Sequence, residues 1–563
     1  MAMGMTSALD ARSRQDHLDQ LRARTFDVLV VGGGVTGAGA ALDAASRGLR
    51  VALVESRDLA AGTSSRSSKL IHGGLRYLEQ FDFKLVREAL KERDLLVSRL
   101  APHLVRPVTF LYPIRNRVIE QPYVAAGLTL YDALEGVRRP MPRHRNLSLK
   151  EARRLVPGLR TDALSGGMIY YDAQVDDARF TLALARTAAA HGAVITTRTS
   201  VTEMLRDERG ERVVGARVRD EESGAEIEVT ADAVVVCAGV WTGPVTSLPG
   251  GAEPGFRVRM SKGVHVMVPG EAIDSHTGMI IRTEKSVLFI IPWTRRRWIV
   301  GTTDTPWEGD RAEPAATGED VDYILQHAND VLARPLTRDD VVGLFVGLRP
   351  LVAADESTST TKLSREHVVD VPIPGLAAIA GGKYTTYRIM ARDVIDAALE
   401  GYDVPGSVTD RLPLIGADGL PALELSVDRL AEDHDLEPET VRYLVRRYGT
   451  LALEVLDLVA RDPALAEPLI EPGPWLRAEV CYAVTHEGAL HAEDIVARRT
   501  RMLIESSELA EQAAPLIAEL MAGLLGWDEQ RVEQEVAACR RLVEAEHTAL
   551  AEARTAARDL AGT

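Results

Sequence analysis

At 563 residues and 61.2 kDa, the chain exceeds a single ordinary core and implies two or three domains. Hydrophobic residues at 46% and charged residues at 26% exclude wholesale disorder, and a net charge of −16 lacks the electrostatic footprint of a nucleic-acid binder. Cys237, Cys481 and Cys539 lie far apart, which excludes a zinc ribbon, a four-cysteine iron–sulfur cluster and a disulfide framework, and fits a reducing compartment.

Residues 1–24 are polar, with no apolar run, and are expected to form a short polar tail rather than a secretory signal. Phe26-Asp27-Val28-Leu29-Val30-Val31 then reads as a strand running into the glycine turn Gly32-Gly33-Gly34-Val35-Thr36-Gly37. A second strand, Arg50-Val51-Ala52-Leu53-Val54, ends in Glu55. Gly32 permits a tight turn, Gly34 lets backbone approach a pyrophosphate, and Gly37 lets helix and strand pack closely. The phosphates are expected at the helix N-terminus, and Glu55 on the adenosine ribose.

This pattern serves NAD and FAD alike. The stretch from Gly62 to Tyr77 distinguishes them: it is dense in glycine and in the small hydroxyl residues Thr63, Ser64, Ser65, Ser67 and Ser68, and Arg66, Lys69, His72 and Arg76 sit among the glycines, so it supplies many donors and can lie along a flat polar ring. Further strands are expected at 194–195, 213–218, 227–229, 264–268, 287–291 and 298–300. The uncharged run 233–252 approaches the length of a membrane span. Pro244, Pro249 and four glycines make it a buried strand and loop instead. No segment is a credible transmembrane helix, so any membrane contact is expected to be peripheral.

Residues 402–414 read as a linker, and the remainder as helical. Pro438 opens one helix and Gly449 closes it. Val532, Val536, Cys539 and Val543 share one face of another. His486 and His491 are five apart, which turns two rings away from any common metal; no metal site is expected. With no catalytic constellation of its own, this region is expected to serve packing and interfaces.

The chain resembles the FAD-dependent, aerobic, quinone-linked glycerol-3-phosphate dehydrogenases. The resemblance rests on the glycine turn with Glu55 and on the block Thr63-Ser64-Ser65-Arg66-Ser67-Ser68-Lys69-Leu70-Ile71-His72-Gly73-Gly74-Leu75-Arg76-Tyr77. It continues in Val175-Asp176-Asp177-Ala178-Arg179, Gly301-Thr302-Thr303-Asp304 and Gly347-Leu348-Arg349-Pro350-Leu351. Gly381-Gly382-Lys383-Tyr384-Thr385-Thr386-Tyr387-Arg388 and Arg498-Arg499-Thr500 complete it. Thr36 departs from several relatives, which carry Asn there, but a small polar side chain is kept.

The resemblance implies an α/β fold: an FAD-binding Rossmann-type domain with an inserted antiparallel-sheet substrate domain and an α-helical C-terminal domain. The FAD-binding domain is expected at 25–105, 175–255 and 345–401, the substrate domain at 106–174 and 256–344, and the helical domain at 415–563. The resemblance places Gly239, Gly382, Lys383 and Thr385 against FAD with the N-terminal set. Cys237, in the strand returning to the cofactor, reads as a small core residue rather than a redox group.

The implied substrate is glycerol 3-phosphate. Its phosphate calls for cations, ideally arginine forks, and Arg76 and Arg349 are the matching candidates, with Arg365 and Lys383 behind them. Lys383 alternatively bonds the flavin ring. His265 and His72 are the candidate bases, and Tyr77 belongs to the same set. The implied acceptor is a membrane quinone, the implied location peripheral on the inner face of the cytoplasmic membrane, with room for a homodimer. Residues 115–139 combine Tyr123, Val124, Leu128, Leu130, Tyr131 and Leu134 with Arg115, Arg117, Arg138 and Arg139, the composition of an interfacial segment. Alternatives are a glycerophosphate oxidase that uses oxygen, a subunit of an anaerobic complex (which three scattered cysteines argue against) and a non-catalytic flavin-binding scaffold.

Overall fold

Apolar, β-branched runs put three parallel strands at the centre of the first sheet. Thr25–Val31 lies between Val51–Val54 and Glu226–Val236, with Val194–Thr196 and Leu376–Gly381 outside them. The four residues of Val51–Val54 are buried, as expected for strands covered on both faces. Glu226–Val236 changes character along its length. Its first half alternates exposed and buried residues while pairing antiparallel with Val213–Asp220, and its last four residues are all buried. Helices Val35–Ser46, Asp177–Ala190 and Tyr387–Ala398 pack in the same apolar core as these strands. The computed structural model describes residues 7–135, 140–284, 287–294, 297–353 and 366–561.

The second sheet is built on Arg257–Pro269, which pairs antiparallel with Arg297–Gly301 and, along most of its length, with Gly343–Ala353. Val105–Ile114 and Gly166–Val175 form its other half, and the short strand Leu70–Ile71 joins that edge. The expected boundary at 345 therefore falls inside a strand of the second sheet. Residues 343–353 look like a buried parallel strand because they too are apolar; only pairing distinguishes the two.

Residues 402–414 carry no helix or strand, and Leu414 N–H donates to the Leu100 carbonyl at 2.8 Å, tying the connection down. Beyond it the chain is helical. Pro438–Tyr448 starts on proline and stops at Gly449, whose φ of +61° suits glycine. Cys539 and Val543 are buried on Glu529–Ala561, whereas Val532 and Val536 are half-buried. Among the described residues no helix is long and apolar enough to cross a membrane.

The N-terminal segment needs correction. Residues 11–23 form a helix, Ala11–Ala23, capped by Asp10, whose carboxylate accepts from Ser13 N–H at 2.6 Å. Leu18 and Leu21 are 2% and 1% exposed. Two leucines three apart supply one apolar stripe, which an otherwise polar composition conceals.

Candidate active site

The first strand ends at Gly32 with φ +111°, where an added Cβ would lie 2.7 Å from the Cys237 carbonyl oxygen. A Cβ at Gly37 would come within 1.9 Å of the Gly32 carbonyl oxygen, so glycine there lets the helix sit on the turn. Glu55 orders this turn: its carboxylate accepts from Gly33 N–H at 2.6 Å and Arg57 N–H at 2.8 Å. Val35 N–H donates to Ser64 Oγ at 2.9 Å, joining the helix start to the serine-rich loop. Cys237 is buried, its thiol pushed up to about 12 by burial, which keeps it protonated.

The second sheet supplies the opposite wall. In the register of Arg257–Pro269 with Gly343–Ala353, Ser261 faces Arg349, Gly263 faces Gly347, and His265 faces Phe345. Strand periodicity puts all six on one face. The glycines make room: an added Cβ at Gly263 would lie 2.4 Å from Arg349 Nη2, and one at Gly301 would lie 2.5 Å from His265 Cδ2. The Arg349 guanidinium thus crosses Gly263, one same-face position from His265. It donates to Thr302 Oγ1 at 3.0 Å, the Thr303 carbonyl at 3.2 Å and Ser261 Oγ at 3.3 Å, with Asp304 at 3.7 Å.

His265 is buried, stacks on Phe345 with ring centroids 4.7 Å apart, and has Nε2 2.9 Å from Ser68 Oγ. Burial, followed by the charges of Arg349 and Lys69, holds its pKa well below the usual imidazole value. The ring is uncharged at neutral pH.

Lys383 follows Gly381 and Gly382, both left-handed at +79° and +78°. Its Nζ stands 3.7 Å from the Tyr77 ring centroid, a cation–π contact. His72 N–H donates to Thr385 Oγ1 at 3.1 Å, which ties the two signature blocks together.

Between the two walls lies a cavity of about 540 Å³, within the range of cofactor pockets. Gly32, Gly34, Thr36, Glu55, Thr63, Ser64, Ser67, Leu70, His72, Gly239, Gly382, Lys383 and Thr385 line it, with Tyr77, His265 and Arg349. Three expected cofactor residues do not. Gly37 packs beneath the turn, and Ser65 and Lys69 lie behind the serine loop. Lys69 takes φ +58° and is fully buried, its Nζ 3.0 Å from Asp177 and 4.4 Å from the Phe345 ring centroid. Burial, then the nearby Arg501 charge, lowers its pKa to about 8, against the pull of Asp177. Arg76 lies on the turn Leu75–Gln80, but its side chain is outside the described part of the structure, as are Arg365, Arg138 and Arg139.

Sequence reasoning missed three contributors and one contact. Asp177 lies in the Val175-Asp176-Asp177-Ala178-Arg179 stretch; its carboxylate accepts from Ser67 N–H and Oγ and from Lys69. Ser68 belongs to the expected donor stretch, but its contact with His265 Nε2 is not legible there. Arg57 stands 5.1 Å from the Trp241 ring centroid, and both line the cavity. Asp304 lies behind Arg349. Asp304 is signalled by a lone charge in an otherwise small-residue motif, whereas Asp177 stands between two other charged residues, Asp176 and Arg179.

The glycine turn, the helix start whose N-cap Gly34 brings no side chain, and the acid ending the second strand fit a dinucleotide. Gly239, at φ +56°, has no atom within 4 Å of where its Cβ would be, which leaves space beside it on the cavity wall. Replacing Gly34 by valine is expected to give folded, flavin-poor protein, because the branched side chain enters the cavity beside Ser64. The ratio of flavin to protein absorbance checks it, with far-UV circular dichroism as the folding control; full flavin content would misplace the phosphate turn.

Fold and cleft together define an FAD-dependent oxidoreductase. Residues 27–388 match the family described as FAD dependent oxidoreductase, and residues 407–532 match the C-terminal domain of alpha-glycerophosphate oxidase. A glycerol-3-phosphate dehydrogenase from Mycobacterium leprae is 53% identical over 543 residues, covering 96% of this chain and 92% of that protein. The mitochondrial glycerol-3-phosphate dehydrogenase of Bos taurus is 38% identical over 92% of this chain and 73% of its own length. The structure of the Bacillus halodurans glycerol-3-phosphate dehydrogenase complexed with FAD superposes with a TM-score of 0.79 at 30% identity, covering 95% of this chain and 98% of that one. The chain belongs to the FAD-dependent glycerol-3-phosphate dehydrogenase family, and its cofactor is FAD.

Proposed function

We propose that the enzyme oxidises the C2 hydroxyl of sn-glycerol 3-phosphate to give dihydroxyacetone phosphate and passes the electrons to a membrane quinone. One observation carries this reading: a guanidinium fork and an uncharged imidazole occupy neighbouring positions on one sheet face of the cavity wall. Arg349, whose two Nη atoms are held in place by Thr302, Thr303 and Ser261, brings a fixed positive charge to the cavity wall for a phosphate monoester, which exchanges with those contacts on binding. His265, being neutral, is in the state that accepts the hydroxyl proton, and Ser68 orients its ring. Lys383, above Tyr77, adds positive charge where substrate or cofactor anions gather. FAD, when bound, supplies the hydride acceptor.

The quinone must be met at a bilayer surface. Val118 and Ile119 are 82% and 73% exposed, and Tyr123 and Leu130 of the helix that follows are exposed as well. Arg115 and Arg117 are exposed next to them. By contrast, Val124, Leu128 and Tyr131 are buried and hold the helix Glu120–Glu135 to the protein. The segment thus divides into a packed face and an open apolar one, the form of an interfacial helix.

Anaerobic glycerol 3-phosphate should bleach the flavin absorbance, and a quinone in vesicles should restore it. Val118→Glu with Ile119→Glu should slow quinone reduction more than reduction of a soluble dye and release the protein from vesicles. A flavin that stays oxidised sinks the substrate assignment. Equal slowing with vesicle binding unchanged places the docking surface elsewhere, and rapid peroxide formation in air favours the oxidase alternative.

A further inference from the structure

The serine-rich loop forms part of the cavity wall, yet its supports come from far away in the chain. Thr63, Ser64, Ser67 and Ser68 line the cavity, while Ser65 and Lys69 face the other way. Behind the loop, Arg501 of the helical domain donates from one Nη to the Ser65 carbonyl at 2.7 Å and to Asp177 at 2.9 Å. Lys69 Nζ donates to the same two acceptors, at 3.1 and 3.0 Å. Asp177 in turn accepts from Ser67 N–H at 2.9 Å and Ser67 Oγ at 2.7 Å. Arg501, Lys69 and Asp177 are all buried.

We propose that Arg501 is a positioning residue of the flavin site, through which the C-terminal helical domain sets the conformation of the serine-rich loop. Three features support this. Arg501 itself sits at φ +67°, a conformation that surrounding structure must impose on a residue with a Cβ. Its guanidinium is buried, and its second Nη is held by the Ala497 carbonyl at 3.1 Å, so its aim is fixed. Its targets are the Ser65 carbonyl of the loop and the Asp177 carboxylate, which holds the next loop hydroxyl, Ser67, with Asp176 at 3.5 Å from the Arg501 Nε. Losing it leaves Asp177 balanced by Lys69 alone and the Ser65 carbonyl with one donor in place of two. The neighbouring Arg498 and Arg499 are buried too but grip Asp58, outside the loop.

That difference supplies the control. In the full-length flavoprotein, Arg501→Met should raise the FAD dissociation rate about tenfold or more, a factor of ten being about 1.4 kcal/mol. Amides 64–69 should exchange hydrogen faster in the FAD-free protein. Arg498→Met leaves Asp58 held by both Nη of Arg499; unlike removal of Asp58 itself, it should lower the unfolding midpoint and leave FAD release and exchange at 64–69 as in the parent protein. Arg501→Lys keeps the charge without the fork and should fall between parent and Arg501→Met. Equal FAD release from the two methionine variants would make Arg501 a structural residue and overturn the proposal. Should Arg501→Met fail to fold, Arg501→Lys decides: parent-like FAD release overturns the proposal and faster release sustains it. These measurements use no substrate, so their failure leaves the substrate assignment untouched.

Discussion

Replacing Arg349 by methionine is expected to lower kcat/KM for glycerol 3-phosphate about 100-fold while flavin remains bound, because a lost charge-assisted phosphate contact is worth about 3 kcal/mol. Methionine keeps much of the bulk and removes both the charge and the fork. Thr302, Thr303, Ser261 and Asp304, which hold the arginine, belong to the substrate-side wall, so losing these contacts should leave the phosphate turn of the first sheet in place. Arg349→Lys should recover part of the loss, since a point charge replaces a bidentate donor. Steady-state kinetics with a soluble dye checks both variants. Parent-like kinetics in Arg349→Met would make the residue purely structural and remove the main support for a phosphate monoester substrate.

Asp58→Ala is expected to destabilise the protein by about 3–5 kcal/mol, the scale for breaking a buried ion pair by removing one partner. The Asp58 carboxylate accepts from Arg498 at 2.5 Å and from Arg499 at 2.6 and 2.8 Å, and all three residues are buried. Arg498 keeps Asp494, and Arg499 keeps the Glu487 carbonyl, so partial compensation sets the lower end of that range. The loop is also tied to the phosphate turn, because Ala60 N–H donates to the Gly33 carbonyl at 3.0 Å. Flavin loss should therefore accompany the fall in stability. Urea unfolding in excess FAD measures the first effect and flavin fluorescence the second. A loss under about 1 kcal/mol would mean that the two arginines find other partners on relaxation.

The sequence alone specified the parts whose cause is local. The glycine turn, the acid ending the second strand, the strand periodicity and the proline-to-glycine helix Pro438–Tyr448 depend on torsions and spacings a few residues long. Resemblance added the cofactor and the site residues that gather on the cavity. Direction and partnership stayed hidden. Lys69 sits among cavity residues in sequence, but its left-handed backbone and full burial send it behind the loop. Residues 11–23 are polar in composition, yet two leucines suffice to seat their helix.

Only the tertiary structure decided which charges meet. Arg501 reaches Asp177 across 324 residues and Arg499 reaches Asp58 across 441, in pairs that no spacing rule connects. Gly343–Ala353 joined the second sheet because its neighbour there is Arg257–Pro269, not because its own residues differ from those of a parallel strand. Local torsional preference is encoded within one turn or strand. The choice of a distant partner depends on which surfaces are buried together, and that is settled only when the two sheets and the helical domain close on one another.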